Sequence, residues 1–581
     1  MSNKISNTIS NKSDNIITEN ITSSSESSYN LPSDSNNKNS FFDNFKDSFK
    51  RAEDNNEKAI EPTYSQLETS LSGNITKCNL TNKNQLKRNI KPRHLFMISI
   101  GTGVGTGMLV STGSALRQAG PANLFIAFAI VSTFIYSTYN SIAELTIVYK
   151  DLPGSYNDIY KFLIDPGYAF ATNLCYAITW LFNPDIYVAC FYVVLVGVNF
   201  VGGQGFAEFE FIISLIKFLA VISFLFYALI LDLGGVKGQP YIGGKYWRDP
   251  GAFRGDNAIN RFKGLCACFV FAGMSYGGFE SAILLSSVVE NPVKALKKGR
   301  KMLCYRIFVL YLGLIIFISL VIPYNSDKLL GGGNSASDAS PLIIAASKVN
   351  AYPHILNAVI VLSVLSVGNN ALYCASRVWH SFFTQYYPHP TLTYIDRRGR
   401  PLTCLIMACV FGLLCFLAAA SFRETFFNWL FAVAGLAMLF NYAGMNLAHI
   451  RFRKAMKVQG RSLNELAFIS QTGVWGSYWG FCIIVLIFIA QFWVAIVPIG
   501  EGKPDANAFF QNYLCAVVWI LSYIGYKVYN REWRFLIPAK EVDIVTDRAI
   551  FNHEEIVEQE KELKLAMKDS SILNKIWNFW C

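Results

Sequence analysis

Charge is scarce in this chain. Asp, Glu, Lys and Arg make up 16% of its 581 residues, against about 25% in a soluble globular protein. From Ile307 to Ile322, and again from Phe481 to Ile499, there is no charged residue. Soluble core helices rarely need such runs, whereas a bilayer span takes roughly 20 apolar residues. The 13 Cys form no C-x-x-C pair and no H-E-x-x-H motif accompanies them, which argues against a zinc site or a disulfide framework. Most fall inside apolar runs and read as small packing residues. No apolar stretch near Met1 has the form of a cleavable leader. No Ser/His/Asp or metal constellation lies outside the apolar segments. No enzyme activity, metal or cofactor is therefore expected.

Apolar segments dominate what is present. They run at about 95–117, 122–149, 166–182, 185–202, 209–232, 264–288, 305–323, 353–377, 401–421, 425–449, 477–499 and 508–530, which predicts an all-α polytopic membrane protein of twelve helices. Residues 1–85 are rich in Ser, Asn and Thr and read as a disordered tail. The transmembrane part spans 86–530. The charged tail 531–581 carries a predicted amphipathic surface helix from Val542 to Lys568. The net charge of +11 sits in short clusters between apolar runs, which is the positive-inside pattern and not a nucleic-acid footprint. Lys83 to Arg93, Lys294 to Arg306, Arg377 to Arg400 and Arg451 to Arg461 then face the cytoplasm, as do both termini. One long loop departs from this pattern, with Lys237, Lys245, Arg248, Arg254, Arg261 and Lys263. Phe170 to Gly203 is shorter than the ~40 residues that two ordinary spans need. Charge parity still asks for two crossings there, with the break at Asn183-Pro184-Asp185.

Two segments are interrupted by glycine. The first reads Gly101-Thr-Gly103-Val104-Gly105-Thr106-Gly107. Each glycine costs about 1 kcal/mol against Ala in a helix, so the run is either a close-packing surface or an unwound break. The sixth segment carries Gly273-Met274-Ser275-Tyr276-Gly277-Gly278, followed by Glu280. Broken helices at corresponding positions point to a mid-membrane transporter site, because they expose backbone groups to a solute. Glu280 and Lys217 are ionisable groups inside apolar runs, and such groups are functional candidates by default. The plainer readings are a paired structural carboxylate and a lysine that reaches the helix end.

The chain resembles the fungal amino-acid permease family of the amino acid–polyamine–organocation superfamily from about Leu86 to Cys581. The motifs that carry the likeness are Gly101 to Val110, Leu152-Pro-Gly-Ser-Tyr156, Tyr241 to Phe253, Ile395 to Gly399, His449 to Arg453, Gln471 to Tyr478 and the ending Asn578-Phe-Trp-Cys581. The resemblance implies an inverted-repeat transporter with a 5+5 core plus two helices, and import of amino acids across the plasma membrane driven by a proton gradient. It implies that backbone around Gly103, Val104, Gly105, Thr106 and Gly107, with Met274, Ser275, Tyr276 and Gly277, binds the substrate. Ser275, Tyr276, Asn441 and Tyr442 would tune its range. Glu280 resembles a gating carboxylate, Lys217 a lysine that stands where sodium-driven relatives bind sodium, and Cys581 a lipidated terminal cysteine. Lys4, Lys12, Lys38 and Lys46 would receive ubiquitin from a ligase. The sequence departs from the family between Trp180 and Tyr187, where roughly half of the third helix is absent. An amino-acid sensor of the same fold, and a permease that lost transport with that half-helix, are the alternatives.

Overall fold

The computed structural model describes residues 48–50, 90, 92–105, 108–109, 112–150, 152, 154–181, 188–286, 289, 292–329, 340–349, 351–413, 423–497, 504, 506–546, 548 and 558. The chain divides into two compact units, 1–50 and 51–581. Of the first, the described residues Ser48 to Lys50 lie in a turn and bend. Every helix below belongs to the second. Among the described residues there is no strand; Ile90 and Val289 form an isolated parallel bridge.

Described helices fall on each of the twelve apolar segments. The first segment is split into α1 (Pro92–Gly101) and α2 (Thr112–Ala119). Then come α3 (Pro121–Val148), a short α4 (Tyr156–Leu163), α5 (Pro166–Leu181), α6 (Val188–Val201), α7 (Gly203–Asp232) and a one-turn α8 (Lys245–Arg248). The sixth segment is split into α9 (Ala258–Ser275) and α10 (Phe279–Leu285). The seventh joins α11 (Pro292–Tyr305), a π-helical stretch Arg306–Gly313 and α12 (Leu314–Val321). There follow α13 (Pro341–Ala346), α14 (Tyr352–Tyr386), α15 (Leu402–Gly412), α16 (Arg423–Val458), α17 (Gly473–Ile496) and α18 (Ala506–Asn530). Among the described residues, six spans are long and apolar enough to cross a membrane by length and composition. Thr102 to Gly105 and Tyr276 to Gly278 lie in turns and bends, so both glycine-rich runs interrupt the helix; Gly101 and Gly273 to Ser275 stay helical, and Thr106 and Gly107 lie outside the described residues. The short third and fourth segments are two helices of 16 and 14 residues. The connecting Asn183-Pro184-Asp185 lies outside the described residues.

Local chemistry sets several of these boundaries. Gly120 takes φ +83° and hands over to Pro121, whose fixed φ and missing N–H suit the first helical position of α3. Gly101 lies against α7 so closely that a Cβ there would sit 1.7 Å from Ser214 Oγ. Gly278, at φ +97°, lies against Thr102, and a Cβ on it would come within 2.7 Å of that side chain. The two breaks therefore touch, and only glycine permits it.

Two sequence expectations are adjusted. Of the helix expected from Val542 to Lys568, Val542 to Thr546 is not helical and Glu558 is, while the rest apart from Arg548 lies outside the described residues. Asp543 Oδ1 accepts the N–H groups of Val545 and Thr546, a local turn that competes with helix. Gln459 donates to the carbonyls of Ala539 and Val542, and Val542 and Ile544 are buried. Several arginines counted as loop charges are also buried: Arg306, Arg400, Arg451 and Arg453. Arg400 pairs with Asp396, and Arg451 donates to the Leu163 carbonyl.

Arg453 belongs to a buried cluster that fastens α3 to α16. Its guanidinium donates to Glu144 Oε2 at 2.8 Å. The same oxygen accepts the Ser470 N–H at 2.7 Å, and His449 Nε2 lies 3.2 Å from Glu144 Oε1. Removing one partner of a buried pair strands the other, at about 3–5 kcal/mol. Glu144→Ala is therefore expected to lower the melting temperature of the detergent-solubilised protein. An unchanged melting curve would show that the cluster holds nothing together.

Candidate functional site

A cavity of about 140 Å³ lies at the two breaks. From the first segment it is lined by Thr102, Gly103, Gly105 and Met108, and from the sixth by Met274, Ser275, Gly277 and Gly278. Trp180 at the end of α5, Val367 and Asn370 on α14, and Met438 on α16 close it. It is smaller than the roughly 300–1,000 Å³ typical of sites for drug-sized ligands, and suits a small solute. Two polar atoms in its wall, Ser275 Oγ and Trp180 Nε1, are buried without a hydrogen-bond partner among the described residues. Such an orphan costs about 1–3 kcal/mol, a cost that a polar solute in the cavity would offset.

Of the residues singled out from the sequence, Gly103, Gly105, Met274, Ser275 and Gly277 line this cavity. Val104 and Tyr276 do not. Val104 is buried in the hydrophobic core, and Tyr276 turns its hydroxyl to Ser132 Oγ at 2.6 Å and stacks on Tyr311 with ring centres 4.2 Å apart. Thr106, Gly107 and Cys581 lie outside the described residues. Asn441 and Tyr442 sit behind the wall, where Asn441 Oδ1 accepts the Tyr160 hydroxyl at 2.7 Å and Tyr442 donates to Glu280. Glu280 is not a lone carboxylate. In the first turn of α10 it accepts the Gly278 N–H at 2.9 and 3.0 Å and the Tyr442 hydroxyl at 3.1 Å. Lys217 does not reach a helix end. It is fully buried and donates to the Gly101 carbonyl at 2.5 Å and to Ser366 Oγ at 2.7 Å.

The residue that joins the two breaks is Arg306, which the sequence reading placed in a loop. It opens the π-helical stretch Arg306–Gly313. An i→i+5 turn brings residues five apart to one side, where an α-helix would pair residues three or four apart. Arg306 and Tyr311 therefore face together, the guanidinium 5.3 Å from the ring centre. Arg306 donates to the carbonyls of Ser99 at 2.8 Å, Tyr276 at 3.0 Å and Gly277 at 2.6 Å, and to the Tyr311 hydroxyl. That hydroxyl lies 2.7 Å from the Ser275 carbonyl and 3.0 Å from that of Gly103. The carbonyls freed at both breaks are thus engaged by the protein's own donors. Gly103 gives the guanidinium its room, since a Cβ there would stand 2.0 Å from it.

Sequence reasoning missed Arg306 because it follows a run of loop cations. It missed Trp180 because the third segment breaks off beside it. Glu210, fully buried near Lys217, was legible in principle: residues seven apart share a helix face. Gly103→Val is expected to displace the guanidinium and strand three carbonyls, each worth about 1–3 kcal/mol. The detergent-solubilised variant should melt several degrees lower, whereas Arg306→Met, already without the guanidinium, should gain little further loss from the added Val. Additive losses in the double variant would refute the contact.

The family model described as amino acid permease matches residues 94–538. The general amino acid permease AGP1 of Saccharomyces cerevisiae is 40% identical, over 92% of this chain and 91% of its own. The high-affinity glutamine permease of the same yeast is 40% identical, over 93% and 89%. Its general amino-acid permease GAP1 is 38% identical, over 92% and 91%. With two broken helices meeting at one cavity, and this likeness along nearly its whole length, the chain belongs to the amino acid permease family.

Proposed function

We propose that this chain imports amino acids across the plasma membrane by proton-coupled alternating access, with both tails in the cytoplasm. The observation that carries the reading is the cavity itself. Its wall holds an unpartnered indole N–H and an unpartnered hydroxyl between two helix breaks. An indole N–H only donates, so Trp180 suits a carboxylate, and Ser275 can serve either end of a zwitterion. The relatives' names, two general permeases and a glutamine permease, agree in amino-acid cargo. Trp180 also favours a working carrier over one disabled by its short third helix, because α5 still reaches the cavity. Lys217 and Glu280, buried on either side of the breaks, are the groups through which a proton would bias the transition. The lipid bilayer surrounds the bundle, and a ubiquitin ligase acting on the tail lysines is the further partner.

Uptake of a labelled mixture of the common amino acids, in cells lacking their own permeases, tests this. Trp180→Phe should raise KM about 10- to 100-fold, the worth of one hydrogen bond to a charged group. Gly105→Leu should abolish uptake with normal surface expression, since even a Cβ at Gly105 stands 3.0 Å from Val367. Normal uptake by Gly105→Leu would remove the cavity from the transport path. Lys217→Ala and Glu280→Gln should each change the pH profile of uptake. Wild-type profiles in both variants would refute the coupling.

A further inference from the structure

We propose that Glu210 is the proton partner of Lys217, and that the proton passes between them through the Ser366 hydroxyl. The proposal rests on the proton-coupled reading above and adds a residue and a route to it. Lys217 Nζ stands 3.9 Å from Glu210 Oε1, too far for a direct hydrogen bond. Ser366 on α14 fills the gap. Its hydroxyl accepts from Lys217 at 2.7 Å and donates to Glu210 Oε1. Asn369, one turn further along α14, stands with Nδ2 3.4 Å from Glu210 Oε2, and its own Oδ1 accepts from Asn199 on α6 at 2.9 Å. Lys217, Glu210, Ser366 and Asn369 are all fully buried.

The geometry allows a balanced exchange. The Lys217 ammonium gives a proton to Ser366 Oγ while the Ser366 O–H proton moves to Glu210 Oε1. An N–H bond breaks, one O–H bond is exchanged on serine, and an O–H bond forms on the carboxyl. The products are a neutral amine, an unchanged serine and a neutral acid. Two opposite buried charges, costly to desolvate, become two neutral groups without any net charge entering the bilayer.

The relay also has a direction. Lys217 holds the carbonyl of Gly101, the last residue of α1, next to cavity residues Thr102 and Gly103. Glu210 lies two turns back along α7, about 10 Å nearer its start at 1.5 Å per residue. That end carries the exposed Glu208, bonded to His94 and Arg93. The charged and titratable groups around the pair are few. On α14 the Cys374 thiol is within electrostatic reach of Glu210, and Arg306 of the π-helical stretch acts on Lys217. From α6 comes the Asn199 amide, and from α1 the Gly101 carbonyl. The relay thus lies in the seam between α1, α7 and α14, with the Gly101 carbonyl at one end and the Glu210 carboxylate at the other.

Full-length protein in proteoliposomes separates the possibilities. Uptake of the labelled amino-acid mixture driven by an imposed pH gradient is compared with counterflow exchange without a gradient. Glu210→Gln and Ser366→Ala should each lower the ratio of gradient-driven uptake to counterflow about tenfold, and Ser366→Thr, which keeps the hydroxyl, should restore it. A purely structural role would depress both activities and leave the ratio at the wild-type value, which would overturn the relay. So would Ser366→Ala with a wild-type ratio, even if Glu210→Gln fails to fold. A wild-type protein that ignores the pH gradient would instead refute the proton-coupled reading. Loss of the gradient response in Lys217→Ala, but not in Glu210→Gln or Ser366→Ala, would refute the relay alone.

Discussion

Everything at the centre of this protein depends on how the carbonyls freed at two helix breaks are satisfied. Inside a bilayer no water is at hand for stray backbone groups, and each one left alone costs several kcal/mol. The Arg306 guanidinium, inserted between the breaks, answers three of these carbonyls at once. Tyr311, turned to the same side by the π-helical stretch, lies against two more. The breaks can therefore persist in the absence of a solute. The donor that answers the carbonyls comes from the seventh segment, outside both broken helices.

That arrangement divides the labour among the buried ionisable groups. Arg306 is spent on the backbone and does not line the cavity. Glu280 caps the start of α10 and is held by Tyr442. Lys217 ties the end of α1 to α7 and α14. Each joins elements that are separate in the sequence and meet at the two breaks. The cavity wall is left with modest tools: glycine backbone, methionine and valine surface, a hydroxyl and an indole N–H.

The shortened third helix fits the same picture. α5 has only 16 residues, yet it ends with Trp180 in the cavity wall. Against a hydrocarbon core near 30 Å, 16 residues at 1.5 Å each span about 24 Å. The flanking helices α14 and α16 are longer, at 35 and 36 residues, and both contribute to the same wall.

The helical class, the apolar segments and the two interruptions are legible along the chain, because spans and glycine runs are properties of contiguous residues. The cost of glycine at Gly101 to Gly107 and at Gly277-Gly278 announces an interruption before any partner is known. The sequence also marked Lys217 and Glu280, since a charge in an apolar run stands out locally. What those groups touch is set by packing between distant segments. Arg306 ends a stretch of loop cations in the chain, and a charge count assigns it to the membrane surface; whether it turns inward depends on the π-helical register and on the space left by Gly103. Tyr276 and Val104 share the glycine runs with cavity residues, but unwound backbone has no fixed period, so the direction of each side chain is set by its neighbours. Trp180, Glu210 and Ser366 lie far apart in sequence and carry no common motif. Their roles arise where α5, α7 and α14 pack against the same break, a proximity that no spacing along the chain encodes.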